Sequence, residues 1–484
     1  MSFSDRSDPL KLATNRRGFL KTAAAAGVAT TATAASINAV FPVLVPEKMT
    51  IETNRSHWAS FLPGQNPALQ RDIAAEIAVV GGGLTGLSAA YYLKERNAKA
   101  RIVLLEAARC GNGASGRNGA MLLTSTEESY MEWSGDPVLD QRIYDLTVDN
   151  ARRLRELTER FNCDAEIEVN GALQMCNTEE LAGQAKQYVE KARRAGFPFE
   201  YWDRKKIAEI IGTAAYPGAA YDPNSGQAHP GKLVGMFKTA AESVGIEIYE
   251  GTTVVHVEEG EHVSLLTANG STVRARILIL ATNAYSSKLG YLRNATTPVF
   301  DYVAMTAPLS EARIAEIGWR KRIPFNDSRR EVFYLGLTKD NRIHIGGGPV
   351  DYVFNNGLEE PLLREKRFAR LGQELGRIFP GLAGERFETS WSGLVDMSVD
   401  QMPAVGQMGK HGNLFYGIGF SGHGLNLTSL FGRIIADLIG GRSQEWSWFP
   451  YLNRMPPYTP NEPLRWIGVQ AALGYYRLID PKQP

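Results

Sequence analysis

Apolar residues along this chain arrive in short uninterrupted runs separated by longer amphipathic stretches. Glu76-Ile77-Ala78-Val79-Val80 is one such run, β-branched and apolar on both parities, as a strand buried on two faces requires. It leads into Gly81-Gly82-Gly83-Leu84-Thr85-Gly86, a helical stretch over 87–95, and a second apolar run, Arg101-Ile102-Val103-Leu104-Leu105, ending at Glu106. The same grammar returns late, where Asn413-Leu414-Phe415-Tyr416 precedes a glycine-rich turn at 417–424 and a helix over 427–438. Helical patterns cover 145–160 and 182–196, and strand-like runs fall at 299–308, 331–337 and 342–346. Strands alternating with helices predict an α/β fold.

The amino terminus has a different texture. Thr14-Asn15-Arg16-Arg17-Gly18-Phe19-Leu20-Lys21 is followed by Ala-, Thr- and Val-rich sequence without a charge until Glu47. A basic segment, a weakly apolar segment and small residues near 35–39 fit an export signal. The paired arginines before Phe-Leu-Lys resemble a twin-arginine signal, which implies twin-arginine export machinery as a partner and a periplasmic destination. The uncharged run is long enough for a bilayer, which takes roughly 20 residues, but its Ala and Thr favour a signal over an anchor. Residues 1–40 are assigned to the signal. Residues 41–72, carrying Pro63, Gly64 and Pro67, read as a linker or surface-hugging arm.

The first glycine turn carries chemistry. G-x-G-x-x-G at a strand–helix junction, with an acid about twenty residues further on, is a dinucleotide fingerprint. Gly81 permits the tight turn, Gly83 lets a pyrophosphate approach the backbone, and Gly86 allows close helix packing. Thr85 and Ala107, flanking these groups, are also expected to bind the cofactor. The helix end offers free N–H groups to phosphates, and Glu106 suits the ribose hydroxyls. Its charge disfavours NADPH, whose 2′-phosphate it would repel. The next segment, Gly111-Asn112-Gly113-Ala114-Ser115-Gly116-Arg117-Asn118-Gly119-Ala120, replaces the helix expected of a simple NAD domain. Such a loop can wrap a second stretch of cofactor, with Ala114, Ser115, Arg117, Asn118 and Gly119 as contacts.

Composition then removes several alternatives. The 53 Lys+Arg and 52 Asp+Glu residues nearly cancel, so no global basic excess speaks for nucleic acid. Three scattered cysteines predict neither a disulfide framework nor a metal site. The 48 glycines among 484 residues exceed the usual share of about 7%, and the two turns and the wrapping loop account for much of the excess.

Taken together, these motifs resemble the FAD-dependent amine and amino-acid oxidoreductases of the D-amino-acid oxidase superfamily, nearest to its γ-glutamylputrescine oxidase-like branch. The resemblance runs from about residue 74 to the end, and Gly113-Ala114-Ser115-Gly116-Arg117-Asn118-Gly119-Ala120 is its most specific part. Tyr221-Asp222 with Gly226-Gln227-Ala228-His229-Pro230 resembles the approach to the third cofactor segment. There the resemblance gives Val254 a backbone contact with adenine, and Thr282, in Ala281-Thr282-Asn283-Ala284-Tyr285, a place beside the FAD. Trp391-Ser392-Gly393 with Asp400 and Pro403 resembles the late segment. Gly419, Ser421, Gly422, His423 and Gly424 resemble the closing flavin loop, where a helix end would stabilise negative charge on the ring.

The implied architecture is a Rossmann-like FAD-binding domain (73–165, 226–295 and 386–442) interleaved with an α+β substrate domain on a mostly antiparallel sheet (166–225 and 296–385). A carboxyl-terminal tail with an amphipathic helix occupies 443–484. Tyr302, Phe333, Tyr334 and Trp391, with His423, become candidates for the substrate wall. No arginine follows Gly393, so the carboxylate clamp of amino-acid oxidases is missing there. Arg329, Arg330 and Arg342 remain as other sources of one. The resemblance implies oxidation of a C–N bond by hydride transfer to flavin N5, giving an imine that hydrolyses. Electrons then pass to O2 or a respiratory acceptor. An amino-acid dehydrogenase acting on D- or cyclic imino acids, and a non-enzymatic flavin carrier, are the alternatives. Cys110 sits close behind the ribose acid, which argues against a covalent flavin link through it. His229 reads as a turn residue before Pro230. The tail is expected to cap the domain, with peripheral membrane contact as the other use of its apolar face.

Overall fold

A computed structural model describes residues 55–124, 136–362 and 364–480. The expected export signal at 1–40 lies outside the described residues. The apolar run at 76–80 forms the parallel strand Ile73–Val80. It sits between Thr272–Leu280 and Ile102–Leu105 in an eight-stranded sheet. That sheet continues outward to Glu247–Tyr249 on one side, and to Leu414–Ile418 and Ala404–Met408 on the other. Its inner strands are buried throughout at their carboxyl ends because helices cover one face and an antiparallel flap the other. The helices Leu84–Arg96, Pro230–Ser243 and Gly424–Ile439 pack on the first face. Strands Val254–Glu258 and Val263–Thr267 contribute to the second.

Eight further strands form a separate sheet in the order Phe387–Met397, Thr297–Thr306, Ile343–Gly347, Phe333–Leu337, Phe325–Asp327, Ala172–Cys176, Gly218–Asp222 and Glu200–Asp203. All its pairings are antiparallel except that of Phe325–Asp327 with Ala172–Cys176. One face carries its own core, in which Trp319 stacks on Phe379 beneath Phe325 and Leu335. The opposite face looks toward the first sheet. Its parity decides the site. Along Thr297–Thr306, Thr297, Val299, Asp301 and Val303 line a cavity, whereas Phe300, Tyr302 and Ala304 enter the core.

The arm before the first strand is not a loose linker. Trp58 is 1% exposed and its Nε1 donates to the Asn118 carbonyl at 2.9 Å. The Arg109 guanidinium donates to the carbonyls of Leu62 and Pro63. Deeper, Lys238 and Glu250 form an ion pair at 2.7 Å with side chains 2% and 0% exposed. Glu250 also accepts the backbone N–H groups of Cys110 and Asn66, and Lys238 donates to the Gly64 carbonyl. A buried pair survives only when such extra hydrogen bonds complete it. This one ties the arm, the wrapping loop and the helix Pro230–Ser243 together.

Glu250→Gln leaves the buried Lys238 charge only the more distant, half-exposed Glu242 carboxylate at 4.0 Å and is expected to lower unfolding free energy by roughly 3 kcal/mol. A urea midpoint unchanged from wild type would show that the pair contributes nothing to the fold.

Candidate active site

A cavity of about 650 Å³ lies between the two sheets. At one end stands the glycine turn. Gly81 has φ +109°, and a Cβ there would lie 2.4 Å from the Ala281 carbonyl oxygen. A Cβ at Gly86 would lie 2.0 Å from the Gly81 carbonyl oxygen, so Gly86 serves packing and does not line the cavity. Gly83 and Thr85 do line it. The helix Leu84–Arg96 starts here with no side-chain cap of its own, and the hydroxyl of Ser115 accepts the Leu84 N–H at 2.9 Å. The wrapping loop thereby seats on the helix end, leaving the other first-turn N–H groups for an anion.

Glu106 faces the same end. Its carboxylate accepts the Gly82 N–H at 2.7 Å and the Ala108 N–H at 3.0 Å, which fixes its orientation. Burial pushes its pKa up against the pull of those two amides. Ala107 and Val254 line the wall beside it, and the segment 251–254 is tied on by Gly251 N–H to the Ala108 carbonyl and Thr252 N–H to the Glu106 carbonyl. Cys110 is fully buried behind Gly82, off the cavity wall. His229 caps the helix Pro230–Ser243, its Nδ1 accepting the Lys232 N–H, and burial lowers its pKa to about 3.

The wrapping loop runs along the middle. Ala114, Ser115, Arg117, Asn118 and Gly119 all line the cavity. Arg117 donates to the carbonyls of Asn112 and Ser392, at 2.7 and 3.1 Å, and its stem packs on Gly393. Thr282 and Asn283 approach from the end of Thr272–Leu280. Beyond them the second glycine turn arrives with Gly419, Ser421 and Gly422 at φ +75°, +48° and +97°. Ser421, Gly422, His423 and Gly424 line the cavity, while Gly419 turns the chain just outside it. His423 is the amino-terminal flanking residue of the helix Gly424–Ile439. The turn is pinned by Asp396, whose Oδ2 accepts the Gly419 N–H at 2.5 Å and whose carbonyl accepts the Ser421 N–H. With its amide oriented to donate, Asn283 adds hydrogen bonds of 2.6 and 2.9 Å to the same carboxylate. Burial carries the Asp396 carboxyl up to about 7.

The substrate-side candidates divide. Tyr334 lines the cavity, its ring held where a Cβ on Gly119 or Gly346 would fall within 2.2 or 2.3 Å of it. Tyr302 and Phe333 do not reach the wall; they belong to the opposite core, where the Tyr302 hydroxyl donates to Asp351. Trp391 stands behind the wall, packs on Trp58, and donates to the Arg117 carbonyl at 2.8 Å, so it supports the wrapping loop. Of the three arginines, Arg329 is buried against Asp327 and Glu374, and Arg342 pairs with Asp340 and Glu388. Only Arg330 joins the cavity lining. Asp301, Asn283 and Asp396 line it too, and residue patterns did not single them out. The helix Leu464–Ile479 closes the cavity with Leu464, Ile467, Val469, Ala472, Leu473 and Tyr476, so the tail caps the site. Among the described residues no helix is long and apolar enough to cross a membrane, and no cluster of metal-ligating groups occurs.

The family model for FAD-dependent oxidoreductases, DAO, matches residues 76–438, which include every cradle segment described above. The chain belongs to the DAO family of FAD-dependent oxidoreductases. Its cofactor is FAD, and its activity is that of an amine or amino-acid oxidoreductase. Among DAO relatives, it is 30% identical over 421 residues to the gamma-glutamylputrescine oxidoreductase of Escherichia coli K12, covering 85% of this chain and 94% of that one. It is 28% identical over 426 residues to the probable oxidoreductase OrdL of Haemophilus influenzae, covering 86% and 94%. In fold it is similar to the glycine oxidase of Geobacillus kaustophilus, with a TM-score of 0.67 and 22% identity over 79% of this chain and 98% of that one. The residues present fit the DAO cofactor. They combine a backbone turn cleared of side chains, two helix ends and a buried carboxylate on one cavity.

Gly81→Ala would force a left-handed backbone on a residue that resists it and drive its Cβ into the Ala281 carbonyl. The purified variant is expected to carry no visible flavin absorbance, because the turn that lets the backbone approach the pyrophosphate needs glycine there. A full FAD complement in this variant would refute the role given to the turn.

Proposed function

We propose that this protein oxidises the C–N bond of a small amine. When bound, FAD supplies the hydride acceptor for such a reaction. The observation that carries the reading is the continuity of one cavity from the dinucleotide cradle to the inner face of the antiparallel sheet, roofed by the tail helix. The chain's own residues orient the substrate and exclude water. Val299, Val303, Leu394 and Val395 give that part of the wall an apolar surface. Ile467, Leu473 and Tyr476 cover it, which strengthens electrostatic contacts inside. The imine product would leave and hydrolyse to an aldehyde or keto acid. The gamma-glutamylputrescine oxidoreductase relative supports an amine substrate. Arg330 in the lining favours a second reading, oxidation of an amino acid held by its carboxylate. O2 or a respiratory chain component takes the electrons in either case.

We further propose twin-arginine export, which a separate feature supports, the Arg16-Arg17 pair ahead of an uncharged run. FAD is loaded in the cytoplasm, so a periplasmic flavoprotein needs a route for folded proteins, and the twin-arginine machinery is one.

Anaerobic mixing of the purified protein with polyamines, monoamines, secondary amines and amino acids is expected to bleach the flavin absorbance with at least one amine. Bleaching by none of them would contradict C–N oxidation. Replacing Arg16 and Arg17 with lysines is expected to leave the yellow protein in the cytoplasmic fraction; unchanged periplasmic delivery, or cytoplasmic retention of the wild type, would contradict the export route.

A further inference from the structure

The inner face of the substrate sheet holds one carboxylate whose hydrogen bonding is incomplete. Asp301 lies in Thr297–Thr306, opposite Gly393 of Phe387–Met397, and lines the cavity. Its Oδ2 accepts the Tyr334 hydroxyl at 2.7 Å. Its Oδ1 is buried without a hydrogen-bond partner. Both residues stand on paired strands, and the Tyr334 ring is wedged against Gly119 and Gly346. The carboxylate is therefore presented by rigid elements, not by a loop.

The other carboxylates of the wall, and two of its arginines, are already engaged. Glu331 pairs with Arg477 at 3.2 Å. Arg465 donates to the Pro460 and Arg293 carbonyls and to Asn356. Arg117 holds two carbonyls, Glu106 two backbone amides, and Asp396 the Gly419 turn with Asn283. Among the described residues of the lining, Asp301 is the one carboxylate with a buried oxygen left over. Such an oxygen is costly to bury unless a donor completes it on binding, and a cationic donor does so best.

We propose that Asp301 is the ammonium-binding residue of the substrate site, which makes the substrate class primary or secondary alkylammonium ions that need no α-carboxylate. The ammonium N–H donates to Oδ1, while Tyr334, spent on Oδ2, acts as the positioning residue that keeps the carboxylate aimed. Burial raises the Asp301 carboxyl to about 6, opposed by the Tyr334 hydroxyl and the backbone amides of Tyr302 and Gly347, and a cation seated beside it would pull it back down. This assignment rests on the proposed amine oxidation and narrows it to the amine reading.

The test is an anaerobic titration of the holoenzyme's flavin spectrum with n-butylammonium, n-butanol and propionate, in wild type and in Asp301→Asn. Wild type is expected to bind the cation at least about tenfold more tightly than the isosteric alcohol, and Asp301→Asn to lose on the order of tenfold for the cation alone. Propionate binding should not weaken in Asp301→Asn, because losing the carboxylate removes only a like-charge repulsion. Unchanged cation affinity in Asp301→Asn, or no preference of wild type for the cation over the alcohol, would overturn the assignment. The wild-type comparison decides the matter if the variant does not load FAD. Flavin bleaching by amino acids with no alkylammonium binding overturns the assignment and leaves C–N oxidation standing. A tenfold loss with no bleaching by any amine or amino acid supports the ammonium site and sinks the oxidation.

Discussion

The whole arrangement depends on how closely two glycine-turn helices can approach the sheet and each other. A side chain at Gly86 would collide with the Gly81 carbonyl at 2.0 Å, and one at Gly81 with the Ala281 carbonyl at 2.4 Å. A side chain at Gly432 would meet the Ser88 hydroxyl at 2.0 Å, so the second helix lies flush on the first. Because these contacts are backbone to backbone or nearly so, both helix ends open on the same cavity, and neither can retreat without unpacking the core behind it. The cradle is thus a consequence of packing, with the anion-binding groups left over where the helices begin.

Interleaving follows from that geometry. Segments near residues 81, 106–119, 254, 282 and 419–424 must meet at one cavity, so the chain crosses between the sheets several times. The Lys238–Glu250 pair and the Trp391 and Trp58 indoles stabilise those crossings by binding the backbone of the wrapping loop and arm. The tail helix then closes the remaining side, and Asp480 just beyond it accepts the Arg330 and Glu331 N–H groups. Substrate wall, cofactor wall and roof therefore come from residues far apart in the chain but share supports.

Local features were legible in the sequence. Both strand–glycine–helix junctions, the acid at Glu106 and the wrapping loop are contiguous patterns whose physics is short-range. The substrate wall was not, because it hinges on strand parity. Shifting attention by one residue, from Tyr302 to Asp301, crosses from the sheet's core face to its cavity face. Both faces of Thr297–Thr306 are largely apolar and buried, so alternation alone does not say which one meets the cofactor. Phe333 and Tyr334 pose the same ambiguity. Trp58 was hidden for another reason: a proline- and glycine-bearing arm has the composition of a linker whether or not its one tryptophan finds a slot.

In this arrangement one FAD would touch chain segments scattered across the sequence, beneath the carboxyl-terminal helix. Backbone hydrogen exchange on the flavin-stripped protein, with and without added FAD, addresses it directly. FAD is expected to slow exchange together at 82–87, 106–119, 251–254, 419–425 and along 464–476. Slowing confined to 82–119, as expected of a dinucleotide seated on the first glycine turn alone, would contradict it.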